Sequence, residues 1–432
     1  MGFRAAIGRA ACGAVWVVSA ACAALAPSGA AIAEHELSGK ISFETRWFPR
    51  PAGFDGQRSY NAGFVAEPQL YLNEPEKFSV TIVPFLRFDA ADRTLTHADL
   101  REAYLLLNGP LGESEWEVRL GIDRVFWGVA ETRNLVDIVN QTDLVENPNE
   151  KVKLGQPMAH LTLSGDWGVA EFFVISFHRL RTFPGRAGRL RPQLIIDNDL
   201  ATYESAAGDW HLDFAARYSH TFGPLDIGLS IFDGTSREPV MRPAAFRLVQ
   251  GQPVPGALAP HYEQIRQFGL DAQLTIESWL LKLEAIYRQG ARNNVVGANP
   301  LKPGKKENYA AFVVGGEYTF SGIFESEADL SLLAEWLIDG RRRRSTNQYQ
   351  NDLFLGARLS LNDVQGAAFT LGTLTDLDFG TRTLSLEFDR RLTDSVSVKA
   401  EAILMLHVGK KDATVYPTRR DSFVGAKLAY SF

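Results

Sequence analysis

The chain has 432 residues but only two cysteines, Cys12 and Cys22, both within its first 33 positions. Beyond those positions a disulfide, a thiol nucleophile and a sulfur-ligated metal are excluded. No later stretch is long and apolar enough for a membrane helix. The histidines show no His-Glu-x-x-His spacing, and neither a Gly-x-Ser-x-Gly elbow nor a phosphate-binding glycine loop occurs. Excess positive charge is missing too, since the formal net charge is −6. That balance gives nucleic acid no footing. The expectation is a chain without cofactor, metal or nucleic-acid partner.

The N-terminal region supplies a compartment. Arg4 and Arg9 open it, Ala10 to Ala26 is small and apolar, and Ala31-Ile32-Ala33 forms an A-x-A site before Glu34. This pattern predicts a secretory signal peptide over residues 1–33, with the working domain at 34–432. A retained anchor fits the Ala-rich run and its cleavage site less well. A lipoprotein site at Cys22 is disfavoured because Ser19 stands where a large aliphatic residue belongs.

What is present is alternation. In Glu115 to Asp123, Trp116, Val118, Leu120 and Ile122 oppose Glu115, Glu117, Arg119 and Asp123. Leu281, Leu283, Ala285 and Tyr287 oppose Lys282, Glu284 and Arg288. Leu353, Leu355, Ala357 and Leu359 oppose Asp352, Arg358 and Ser360, and the same pattern runs from Ser395 to Val408. A soluble sandwich also alternates, but these segments run to ten residues or more and are bulky along one whole face, as tilted membrane crossings are. About eighteen such segments are readable, from 38–48 through 169–180 and 209–221 to 421–432. Short Gly-, Pro-, Asn- and Asp-rich turns, such as those at Gly165, Phe222 and Leu392, alternate with long segments at 125–157, 181–208, 234–261, 290–308 and 339–350.

The chain closes on DSFVGAKLAYSF, with Phe432, Tyr430, Leu428, Ala426 and Val424 on one face. It resembles the C-terminal signal by which the barrel-assembly machinery takes up bacterial outer-membrane barrels. The fold expected is all-β: a transmembrane antiparallel β-barrel of about eighteen strands in the bacterial outer membrane, with an inward-folded loop segment.

That segment is RVFWGVAETRNLVDIVNQTDLVENP, Arg124 to Pro148, in the third outer loop, between the fifth and sixth strands. Val129, Thr132, Val136 and Val139 recur at three and four, a helix-like spacing unlike the rest of the chain. Val136 and Val139 are expected on the inner wall, with Arg124, Arg133, Asp137, Asn140 and Asp143 in the aperture. Asn140 to Asp143 offer side chains that can cap a short helix or bond loop backbone. An ordered external loop over the mouth is the alternative. Arg119, Glu284, Arg288, Arg358 and Glu401 are the wall charges expected to line the lumen, beside Lys282, Glu117, Glu335 and Glu387.

FWGVAETRNLVDIVNQTD, the block from Tyr262 to Arg288, LLAEWLIDG from Leu332 and RRDSF from Arg419 are similar to those of an uncharacterised family of Gram-negative outer-membrane, porin-like proteins. The resemblance covers most of the chain after residue 33. It implies a channel-like barrel and carries over no substrate or functional residue.

The function expected is therefore passive uptake of small hydrophilic solutes, narrowed by 124–148, and not an enzymatic one. Alternatives are a specific transporter of a hydrophobic or bulky compound, and a non-transporting surface receptor or adhesin. An enzyme would need a serine beside His178 or His220; Ser176 and Ser219 lie near in sequence. Expected partners are outer-membrane lipid and lipopolysaccharide, for which Arg341–Arg344 and the basic run Arg181 to Pro192 are candidates. The assembly machinery, reached through Phe432, is another. Monomer and homotrimer both remain open.

Overall fold

The computed structural model describes residues 34–75, 77–293 and 304–432. The signal peptide expected over 1–33 lies outside the described residues. Eighteen strands form one antiparallel sheet. They are β1 Glu34–Trp47, β2 Tyr60–Glu74, β3 Phe78–Asp89, β4 His97–Leu111, β5 Ser114–Asp123 and β6 Gln156–Gly165. Next come β7 Gly168–Ile175, β8 Asp213–Phe222, β9 Leu225–Thr235, β10 Gln264–Ile276, β11 Trp279–Arg292 and β12 Lys306–Phe320. The last six are β13 Asp329–Asp339, β14 Asn351–Ser360, β15 Ala368–Asp376, β16 Arg382–Arg391, β17 Val396–His407 and β18 Phe423–Ser431. Strand β1 pairs with both β2 and β18, so the sheet closes on itself and leaves no edge.

Two-residue hairpins such as Gly112–Glu113 and Gly223–Pro224 join neighbours at the rim that also holds Glu34 and Phe432. Gly112 (φ 65°) and Gly223 (φ 61°) take the positive φ that such tight turns demand. The long connections leave the opposite rim.

The outward face is apolar. Phe43, Leu120, Phe172, Leu229, Leu281, Leu355, Leu386 and Leu428 are exposed along its height. Aromatic rings collect at both ends: Trp47, Tyr60, Phe88 and Trp336 at one, Trp167, Trp279, Phe320 and Tyr430 at the other. Trp279 and Tyr318 lie ring to ring at 4.7 Å across β11 and β12. An apolar belt between aromatic girdles is the surface of a transmembrane barrel.

Two departures from the sequence reading concern the same connection. Strand β7 ends at Ile175 rather than near residue 180, and β8 starts at Asp213 rather than 209. His178 N–H bonds Asp209 O instead of continuing the ladder, and Gln156 Nε2 donates to Phe177 O. Beyond the barrel, Val240–Ala244 and Ala257–Tyr262 pair antiparallel, and Thr202–Tyr203 joins the latter in parallel.

Candidate functional site

Strand β11 shows which side of the wall is covered. Trp279, Leu281 and Tyr287 are exposed, whereas Lys282, Glu284, Ile286 and Arg288 on the alternate face are buried. The cover is the connection 124–155. Its Trp127, Val136, Ile138 and Val139 form one apolar cluster with Phe173, Ile175, Phe232, Ile265, Ile286 and Tyr309 from the surrounding strands. Burying each such valine contributes about 1.5–3 kcal/mol.

The backbone of the connection is fastened by two wall carboxylates. Glu284 accepts the N–H groups of Val129 (2.7 Å), Ala130 (2.9 Å), Leu135 (2.6 Å) and Val136 (3.3 Å), and Asn134 Nδ2 at 3.1 Å. Glu335 accepts those of Glu131 (2.7 Å) and Thr132 (2.8 Å). The helical spacing produces no helix: no helix is assigned within 124–155. The N–H groups that a helix would bond to its own carbonyls are taken by carboxylates from β11 and β13. The three-and-four repeat is a docking pattern instead.

The polar residues of the connection are buried by pairing rather than set free in an aperture. Asn140 accepts Val125 N–H and donates to the carbonyls of Asp123 and Leu154, each at 2.9 Å. Asp143 pairs with Arg101 at 2.7 Å and accepts Thr182 Oγ1 at 2.6 Å. Asp137 lies 3.2 Å from Lys153; burial, opposed by that lysine, raises its pKa. Arg133 bonds Glu238 and lies 3.6 Å from Glu150. Burial alone would raise Glu238, but Arg133, Arg288 and Arg341 hold its carboxyl well below the usual range. Charges out of water persist only when paired in this way.

The expected wall residues divide. Glu284 and Arg288 are buried, the latter bonding Gln267 Oε1 at 2.8 and 2.6 Å. Arg119 lies 2.8 Å from Glu117, Glu401 3.2 Å from Arg46 and Arg358 3.8 Å from Glu131, and Arg124, expected in the aperture, lies 2.7 Å from Glu102. These four keep partly solvated side chains. The uncovered wall is that of β14 to β18, where the side chains of Arg358 (40 %), Glu387 (42 %) and Lys399 (38 %) stay part-solvated.

Some of the arrangement escaped the sequence reading. Arg46, Arg87, Glu44 and Glu146 converge where the connection meets β1 and β3, and Arg87 bonds Glu44 at 2.9 Å and Glu146 at 2.6 Å. Arg87 stands at an inward position of the alternating FLRFD, the signal that could have singled it out. The second long connection, 176–212, reaches across to the seam of the barrel. There Arg189 meets Asp421 at 2.7 Å, both buried, and Leu190 N–H bonds the same carboxylate. The arginine run also splits. Arg341 is buried on Asp339 with its guanidinium 3.8 Å from the Tyr309 ring, while Arg342, Arg343 and Arg344 are exposed. His178 is buried against Tyr203 and Tyr262 and held well below its ordinary pKa by burial. His220 lies parallel to Tyr218 and meets the Phe222 ring edge-on.

No curated protein matches the chain. Among solved structures it is similar to a triple mutant of the Rhodopseudomonas blastica porin, at 8% identity and TM-score 0.42, over 92% of this chain and 100% of that one. It is similar also to a loop-deletion mutant of OmpT, an outer membrane protein of Vibrio cholerae, at 10% identity and TM-score 0.42, over 93% and 99%. Residues 53–401 match the family described as protein of unknown function (DUF1302). That match spans well over half of the sequence and agrees with the uncharacterised family its motifs resemble, so the chain belongs to the DUF1302 family.

Proposed function

We propose that the protein is an outer-membrane channel through which small hydrophilic solutes diffuse, narrowed by the connection 124–148. The observation that supports this reading is the asymmetry of the inner wall. One side is covered by a firmly bonded segment, and the other keeps a band of solvated charges of both signs. An eighteen-strand barrel is too wide for wall side chains alone to fill, so such a segment sets the aperture. Solutes then pass along β14 to β18, selected by aperture size and by Arg358, Glu401 and their neighbours. Exposed Arg343 and Arg344 suit lipopolysaccharide phosphates at the outer rim.

The test is single-channel conductance of the refolded protein in a planar bilayer, with the cation-to-anion permeability ratio from a salt gradient. Stable conductance that rises on deleting Ala130 to Asp143 supports the reading. A folded barrel that passes no current removes it and favours a surface receptor.

A further inference from the structure

Next to Glu146 the barrel holds a partly open cavity of about 320 Å³. Its walls are β1 to β4, Lys399 and Glu401 of β17, Ala426 and Lys427 of β18, the stretch Leu144 to Pro148 and, above, Pro184 to Leu190 of the connection 176–212. At roughly 30 Å³ per water it has room for about ten waters, or one small organic molecule.

The pairing inside it is incomplete. Arg87 is 4% exposed, and its Nη1 serves both Glu44 and Glu146 while its Nε donates to nothing. Glu146 Oε1 likewise has no hydrogen-bond partner, although its side chain is only 10% exposed. A guanidinium prefers to grip a carboxylate with two N–H groups at once. Here the geometry gives Glu146 one. Arg46 adds a hold on the same residue through its carbonyl, Nη2 to O at 3.3 Å. Val65, Phe85, Leu144 and Val145 supply an apolar lining beside these charges.

We propose that the cavity binds a small monocarboxylate with an apolar body, whose carboxylate displaces the Glu146 side chain from Arg87 and so loosens the 144–148 stretch between its anchors at Asp143 and Arg46. For transport, though not for binding, this rests on the channel reading above. The exchange replaces one carboxylate by another, so no new buried charge appears. Burial, with Asp143 and Glu44 close by, pushes Glu146 up to about 7, so it can leave as a neutral acid near neutrality. A metal ion is the other ligand these groups suggest, because acceptor atoms of His97, Asp143 and Glu146 lie within 4.8 Å of one another. Arg87 and Arg101 already face those carboxylates and would repel a cation, whereas they attract an anion.

The experiment is isothermal titration of benzoate, and of its uncharged analogue benzamide, into the detergent-purified protein. Benzoate is expected to bind saturably and benzamide not at all. Glu146→Gln removes the competing carboxylate and tightens benzoate by about tenfold. Arg87→Gln abolishes its binding; should that variant fail to fold, Glu146→Gln decides alone. Equal heats from benzoate and benzamide in both wild type and Glu146→Gln would overturn the proposal. The same preparations in a bilayer separate the two readings. Benzoate binding without current keeps this site and removes the channel. Current without benzoate binding keeps the channel and removes this site.

Discussion

Glu284 and Leu135, 149 residues apart, are joined by a 2.6 Å hydrogen bond from backbone N–H to carboxylate Oε2. The same side chain also holds Val129, Ala130 and Val136, so one wall residue fixes both arms of the excursion. Glu284→Ala leaves those donors to the lumen water and weakens the attachment by about 3 kcal/mol. Single-channel conductance is expected to rise with a broader distribution of levels. Unchanged conductance would show that the segment does not set the aperture.

Val136 is fully buried beneath that carboxylate. Val136→Ala should lower thermal stability modestly, by about 1–3 kcal/mol. Val136→Asp places an unpaired charge in an apolar cluster and should release the segment altogether. The comparison of the two variants separates packing from attachment: only the aspartate should enlarge the conductance.

The Arg189–Asp421 pair ties the second long connection to the start of β18. Removing either partner strands the other out of water and costs about 3–5 kcal/mol. In Asp421→Ala, trypsin added outside should cut within 176–212 far faster than in the wild type. The double variant Arg189→Met with Asp421→Leu should recover much of the resistance. Equal cutting rates in all three would mean that other contacts carry the strap.

Glu146 sets a pH dependence. Burial, aided by Asp143 and Glu44 and opposed by Arg87, raises its pKa to about 7. An unfolded glutamate titrates near 4.3, so the folded state holds this proton more firmly. The favourable contribution is complete below about pH 4 and disappears as pH rises through 7. It amounts to about 3 kcal/mol. Between pH 5 and 8, the melting temperature of wild type should therefore fall relative to Glu146→Gln. Parallel curves for the two proteins would refute the assignment.

Most of the barrel was legible in the sequence because the membrane enforces it. A lipid-facing residue must be apolar at every second position, so strands such as β11 and β17 announce themselves. The interior obeys no such periodic rule. Arg133 finds Glu238 and Asp143 finds Arg101 across 105 and 42 residues, and spacing along the chain holds no trace of either. Hence the packing of Val136 and Val139 on the wall follows from their apolarity, whereas the buried bonding of Arg133, Asp137, Asn140 and Asp143 has no such local signal. The helix read from the three-and-four repeat failed for the same reason. Its backbone partners, Glu284 and Glu335, lie more than 140 residues downstream and compete with the local bonds that propensity describes.

The seam between β1 and β18 fixes the order of events during biogenesis. Gly39 and Phe432 exchange backbone hydrogen bonds, 3.0 Å one way and 3.1 Å the other, so the first strand waits for the last residue. Every hairpin can zip with its neighbour as it emerges, but the cylinder shuts only when the whole chain is present. Until then Glu34–Trp47 and Phe423–Ser431 are two open edges that would template aggregation if left unguarded. A chain shortened by a single terminal strand would have nearly every turn and ladder in place, and still be unable to close.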